Sequence, residues 1–370
     1  MDPTGPIARR FPLIARSRPA CSSLEARVGE VCALAHSATQ NSSLAAASAV
    51  HNKAALIASD CGLPDVAREW CRRHAEVYLR ARPAGAQVAR YALEPLVNLA
   101  RLHIRDGNGD TAFHLLDALY HAVTSRTDVV IDGIPLPAAE LTTSSDDHHE
   151  LRRWLWTVHL SDGTRALSSA GHWQEAHTHL QRHNGIGQRL LDGRQVAVIS
   201  HCTAGDADGA LTLLKDSTPE EPWEHAVSAC LTVLCHQHAP RPRDQDLTAM
   251  LDTYRQLAPA PHLAVFHTRL SLSVIDAASG VGHPGAHDIT TELIHRTVAL
   301  GDGYAVRDVL AHSGCAAMLT EDQARELTEA LHGCALGHQK LPTKLKADLS
   351  TALDTSETVI SRALTTRVNA

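Results

Sequence analysis

The chain has 370 residues, 44% hydrophobic and 4% aromatic, with a formal net charge of -7 when His is neutral. That length can bury an ample core in one large or two ordinary domains, and the negative balance argues against a nucleic-acid partner. Ala and Leu dominate the apolar share and Phe occurs only 3 times, which favours helix-on-helix packing over a β-sandwich.

Nine Cys occur without a Cys-x-x-Cys pair, no secretory core precedes residue 30, and no apolar run approaches a membrane span. The expectation is a soluble, cytoplasmic protein with free thiols and no membrane partner. The 25 His are scattered, several on helical stretches, which is composition rather than evidence of a pH sensor.

Residues 1–22, "MDPTGPIARRFPLIARSRPACS", are rich in Pro and Arg and read as a mobile N-terminal arm. From Ser23 a helical pattern begins and runs as a single domain over 23–370. One signature recurs: a Gly that closes a helix, then an Ala five positions later. It occurs at Gly62 and Ala67, Gly107 and Ala112, Gly171 and Ala176, and Gly205 and Ala210. Gly takes the left-handed cap between antiparallel helices, and the small Ala lets those helices approach. The turn is similar to that of tetratricopeptide (TPR) repeats, although the spacing is irregular. The expected fold is all-α, an irregular TPR-like helical-hairpin solenoid.

One stretch breaks the pattern. In the insert 127–150, Val129, Val130 and Ile131 are separated from Ile134 by Asp132-Gly133, a strong hairpin signal. A short β-hairpin is expected near 129–137, either as a strand edge for an extended peptide or as a surface excursion. Further on, Thr320 and Gln323 are placed as a capping box. The final helix carries a candidate break near Thr355.

Polar clusters stand out on three helices. In "HNKAALIASDCG", residues 51–62, Lys53 and Asp60 are seven apart on one face, with Asn52 and Ser59 beside them. This stripe is either a site wall, headed by His51, or a solvated face with one ion pair. In "YALEPLVNLARLHIRDG", Glu94, Asn98, Arg101 and Arg105 form a second stripe. On an inner solenoid helix, Asn would hold a peptide backbone and Arg a carboxylate. In "ELRRWLWTVHLSDGTRAL", Arg153 and Thr157 share a face, and Trp154 is a candidate clamp with a neighbouring Arg or a core filler. "TSRTD", residues 124–128, reads as an anion-binding turn or a helix stop. "GIGQRLLDGRQVAVISHC" lacks the strand and spacing of a dinucleotide loop. The pairs His201-Cys202 and Cys235-His236 carry zinc-ligand chemistry, but neighbours on a helix point about 100° apart, so a site there needs a tertiary coincidence. No metal and no cofactor is expected.

Taken together, "HNKAALIASDCGLPDVA", "EPLVNLARLHIRDG", "DALYHAVTSRTDVVIDGIPLP", "ELRRWLWTVHLSDGTRAL" and "GIGQRLLDGRQVAVI" resemble a family of actinobacterial helical-repeat proteins. These accompany genes for ribosomally made, modified peptides. The resemblance covers about residues 25–240 and points to the stand-alone cyclase of class V lanthipeptide synthetases. It implies a precursor peptide as substrate, with kinase-like and lyase-like enzymes as partners. The implied reaction is Michael addition of a Cys thiol to a dehydrated residue, giving a thioether ring. That requires a thiolate, stabilisation of the enolate oxygen, and protonation of the α-carbon.

Classical lanthionine cyclases form the thiolate on zinc held partly by Cys-His-Gly. Here Cys235-His236 is followed by Gln237, so a metal-free route is expected. In it His51 is the base, Lys53 or Arg101 the enolate cation, and Asp60 the orienter or acid. Asn52, Asn98, Arg105, Arg153, Trp154 and Thr157 would bind the peptide. The alternative is a non-catalytic peptide-binding scaffold or regulator.

Overall fold

The computed structural model describes residues 1–236 and 244–368. In chain order its helices are α1 (Leu24–Asn41), α2 (Leu44–Asp60), α3 (Pro64–Leu79), α4 (Ala86–Arg105), α5 (Gly109–Ser125), α6 (Ser145–Ser169), α7 (Trp173–Arg182), α8 (Asp192–Thr203) and α9 (Ala207–Lys215). There follow α10 (Pro222–His236), α11 (Asp244–Arg255), α12 (Ala264–Ala277), α13 (Pro284–Leu300), α14 (Gly303–Leu310), α15 (Ser313–Met318), α16 (Glu321–Gly333) and α17 (Thr343–Val368). Strands β1 (Val129–Ile131) and β2 (Ile134–Leu136) lie between α5 and α6.

Among the described residues the chain is all-α apart from this hairpin, with many stacked helices, consistent with a helical-repeat fold. Where the pattern reads as a single domain over 23–370, packing divides the chain into two compact units. One comprises Ser23–Ala166 and Ala335–Ala370, the other Met1–Ser22 and Leu167–Cys334. Helical periodicity is local and does not say which helices share a core.

In the first unit α1 packs on α2, α2 on α3, α3 on α4 and α4 on α5, while α17 lies against α1, α2 and α3. Side-chain caps set the starts: Ser23 Oγ accepts from Ala26 N and Ser43 Oγ from Ala46 N. Gly62 and Gly107 take φ of 74° and 82° at the turns, and Ala67 and Ala112 are fully buried just beyond them. The turn after α2 is also covered from the other end of the unit: Gly337 N donates to Asp60 O at 2.7 Å and Gln339 N to Cys61 O at 2.6 Å. Leu93, Leu96 and Leu99 of α4, Leu116 and Leu119 of α5, and Leu151 and Leu155 of α6 fill the core. Each such burial stabilises by roughly 1.5–3 kcal/mol.

The hairpin forms where the sequence places it. Val129 pairs with Leu136, Val130 with Pro135 and Ile131 with Ile134. Asp132 and Gly133, at φ 48° and 81°, make the turn whose twist suits a two-residue loop. Ile131, Ile134 and Leu136 are buried and Val130 is exposed. Pro135 sits where the backbone turns outward and offers no N–H, which blunts the β2 edge. The rest of the insert is structural. Asp147 Oδ1 accepts from Ala86 N at 2.8 Å, so the start of α6 caps α4.

In the second unit α7 packs on α8, α8 on α9, α9 on α10, and α12 on α13. Gly171 and Gly205 have φ of 85° and 80°, with Ala176 and Ala210 fully buried. Thr320 and Gln323 form the expected capping box on α16.

Residues 1–22 are not an arm. Ala8, Phe11, Leu13 and Cys21 are buried in this unit. Buried Gln195 accepts from Leu13 N at 2.7 Å and donates to Leu13 O at 2.8 Å, and Arg10 pairs with Asp276 at 2.6 Å. Pro and Arg content signals only the lack of helix. It does not reveal that apolar residues between the prolines have a surface to cover. The expected break near Thr355 is also absent: α17 is continuous, and Thr355 and Ser356 return their hydroxyls to the carbonyls four residues back.

Candidate functional site

The two polar stripes read separately, on α2 and α4, prove to be two sides of one network in the first unit. Asn98 Nδ2 donates to Asn52 Oδ1 at 2.9 Å. Arg101 donates through Nη1 to Asn98 Oδ1 at 3.1 Å, and through Nε and Nη2 to Asp162 Oδ2 of α6 at 3.1 and 2.7 Å. One turn further on, Arg105 Nε donates to Ser59 Oγ at 2.9 Å, and Arg105 Nη2 to Asp60 Oδ1. The other oxygen of Asp60 accepts from Arg27 Nη1 of α1 at 2.7 Å. The i, i+3 and i, i+7 spacing of Asn98, Arg101 and Arg105 points them along one line, and α2 and α6 supply partners on either side.

This line is partly exposed. The Arg101 side chain keeps half its surface in solvent and Arg105 a third, whereas Asp60 is fully covered. Its exposed charged groups are the two guanidiniums, because Asp162 and Asp60 are largely covered. Such a surface suits backbone carbonyls and carboxylates of an extended ligand.

Near the other end of α4, Arg90 pairs with Glu94 at 3.0 Å, and its guanidinium lies 5.1 Å from the centre of the Trp154 ring. Trp154 is half-buried, with the Arg90 cation over its ring. Arg153 and Thr157 are exposed on the same helix. The Thr157 hydroxyl donates to Trp154 O at 2.7 Å.

Two of the expected catalytic residues lie elsewhere. His51 does not head the stripe. It is 1% exposed and stacks on His74 of α3 at 4.6 Å between ring centres, and neither of its ring nitrogens has a hydrogen-bond partner. Burial, with the Arg73 charge nearby, pushes its pKa down to about 3, so it neither reaches a substrate nor takes up a proton near neutral pH. Lys53 turns to α1 and pairs with Glu30 at 3.2 Å. It makes no ion pair with Asp60, since seven helical residues separate the two by about 10.5 Å along the axis.

Sequence reasoning missed Arg27, Arg90 and Asp162. Arg27 and Asp162 meet their network partners only through tertiary packing, and so does Arg90 its aromatic partner Trp154, although its ion pair with Glu94 lies within α4. The remaining clusters make contacts within the fold. Thr127 N returns to Ala122 O to end α5. Arg189 pairs with buried Glu224, and Gly193 lies against the Gly185 carbonyl with no room for a Cβ. His201 and His236 turn away from their cysteines to Asp206 at 2.7 Å and Asp246 at 3.3 Å.

The hairpin borders a groove of about 690 Å³ lined by Glu76, Leu79, Arg80, Val130, Pro135 and Pro137, among others. No helix among the described residues is long and apolar enough to cross a membrane. Comparison with protein-family models, curated proteins and solved structures finds no match to this chain.

Proposed function

We propose that this chain is a TPR-like peptide-binding protein of modified-peptide biosynthesis, acting in the cytoplasm as a scaffold for a precursor peptide. The observation that carries this reading is the hydrogen-bonded ladder Asn52–Asn98–Arg101–Asp162, laid across the alternate helices α2, α4 and α6. In repeat proteins the alternate helices line the ligand surface, and here α4 offers the partly exposed guanidiniums of Arg101 and Arg105. Arg105 continues the line, and Trp154 under Arg90 offers a platform for a planar side chain. Kinase-like and lyase-like enzymes acting on the same peptide are the proposed partners.

A second reading, lanthionine ring formation, keeps one supporting observation. The half-exposed Arg101 guanidinium is suited to an enolate oxygen. That reaction would draw its base from outside the ladder, because His51 is sequestered. The test is a titration of purified protein with dehydrated precursor peptide, followed by alkylation of free thiols. The scaffold reading expects saturable stoichiometric binding, weakened about tenfold by Arg101→Ala (about 1.4 kcal/mol), and thiol loss no faster than without protein. Thiol loss at substoichiometric protein would establish the cyclase instead. Absence of binding to both dehydrated and unmodified peptide would sink both readings.

A further inference from the structure

We infer that Cys202 of α8 and Cys235 of α10 are a peroxide-responsive dithiol pair that closes to a disulfide within the second unit. The two Sγ atoms lie 2.7 Å apart, with the residues 3% and 0% exposed. Non-bonded heavy atoms pack at about 3.5–4.0 Å, and a disulfide bond is about 2.05 Å, so the sulfurs sit well inside packing distance and a short movement from bonding. The neighbouring histidines are engaged by Asp206 and Asp246, which leaves the sulfurs facing each other rather than a shared metal ligand set. Elsewhere burial alone dominates: it pushes Cys71, Cys230 and Cys315 up to about 12 and Cys61 to about 11. Either sulfur can donate in this contact; with Cys235 as the donor, the Cys202 thiol is drawn below the ordinary value and Cys235 is pushed up. In that arrangement Cys202 is the attacking sulfur and Cys235 the resolving one.

The oxidant is hydrogen peroxide, small enough to enter a covered site through brief openings. The Cys202 thiolate attacks one peroxide oxygen and the O–O bond breaks. Cys202 becomes a sulfenic acid, and the departing hydroxide takes the thiol proton to form water. The Cys235 thiolate then attacks the Cys202 sulfur. The S–O bond breaks, the S–S bond forms, and the hydroxide released leaves as a second water with the Cys235 proton. Two thiols are oxidised and one peroxide is reduced to two waters. The product ties α8 to α10 across α9, and a dithiol reductant reverses it.

The experiment treats the full chain with submillimolar hydrogen peroxide, quenches it, alkylates under denaturing conditions and maps the peptides. The expected result is loss of two of the nine thiols and one cross-linked peptide joining Cys202 to Cys235, lighter by two hydrogens and released by dithiothreitol. Cys202→Ser is expected to abolish the cross-link and leave Cys235 alkylated. The wild-type map decides the matter should that variant fold poorly. Alkylation of both cysteines after treatment, oxidation of either to sulfinic acid without a cross-link, or cross-links shared equally with Cys230 would overturn the inference.

Discussion

Asn98 on α4 donates its side-chain amide to the amide oxygen of Asn52 on α2 at 2.9 Å, while its own oxygen accepts from Arg101. One residue thus joins two stripes that lie 46 positions apart in the chain, and it orients both neighbours. Asn98→Ala is expected to lower affinity for the precursor peptide about tenfold, equivalent to about 1.4 kcal/mol. The urea midpoint should move little, because the hydrogen bonds are partly solvated. A fluorescence-anisotropy titration reads the first and a denaturation curve the second. Unchanged affinity would show that this face does not hold the ligand.

Asp60 serves two arginines, with Arg27 on one oxygen and Arg105 on the other. Its side chain is fully covered. Asp60→Ala leaves a buried guanidinium without its carboxylate, and the expected loss is about 3–5 kcal/mol of stability. Arg105→Met should cost less, since that side chain is partly in solvent. Urea unfolding of both variants checks the order. A smaller loss for Asp60→Ala than for Arg105→Met would contradict it.

The His51–His74 stack predicts acid sensitivity. Burial holds His51 at a pKa of about 3 and His74 well below 6.5, whereas both protonate near 6.5 once unfolded. The folded pKa values are depressed. The stability they contribute is therefore fully present above pH 6.5 and is lost as pH falls from there towards 3. For His51 alone the loss at pH 5 is about 2 kcal/mol relative to neutral pH. Urea midpoints at pH 7.5 and pH 5 should show a smaller drop in His51→Phe than in the wild type. Equal drops would mean that the stack does not govern the acid limb.

Gly133 has φ 81°, and an added Cβ would meet nothing within 4 Å. The cost of Gly133→Ala is therefore conformational rather than steric crowding, about 1 kcal/mol. Val130→Thr on the exposed strand position should cost under 0.5 kcal/mol. Thermal melts of the two variants separate the turn requirement from the surface.

Gln195 is fully buried and makes three hydrogen bonds, two to Leu13 and one to Leu190 O. Gln195→Ala leaves backbone groups of Leu13 without partners, at about 1–3 kcal/mol each. Residues 1–22 should then loosen, and trypsin should cleave after Arg16 several-fold faster. Cleavage at the wild-type rate would mean that other contacts, such as Arg10 with Asp276, suffice to hold the segment.

Local chemistry in the sequence determined the elements. Gly62, Gly107, Gly171 and Gly205 announced their turns because a left-handed cap needs no partner elsewhere in the chain, and Ala67, Ala112, Ala176 and Ala210 announced close helix contacts because small size is itself the requirement. Asp132-Gly133 announced the hairpin for the same reason. The periodicity of Asn98, Arg101 and Arg105 likewise gave a polar line on one helix. Only the tertiary structure decided what faced that line. Asp162 and Arg27 enter from α6 and α1, and no spacing within those helices encodes the encounter. His51 shows the converse. The residues that follow it, Asn52 and Lys53, are polar, yet a rotation of about 100° per residue carries it from the side of Asn52 into the packing against α3, where burial removes the proton affinity that made it look like a base.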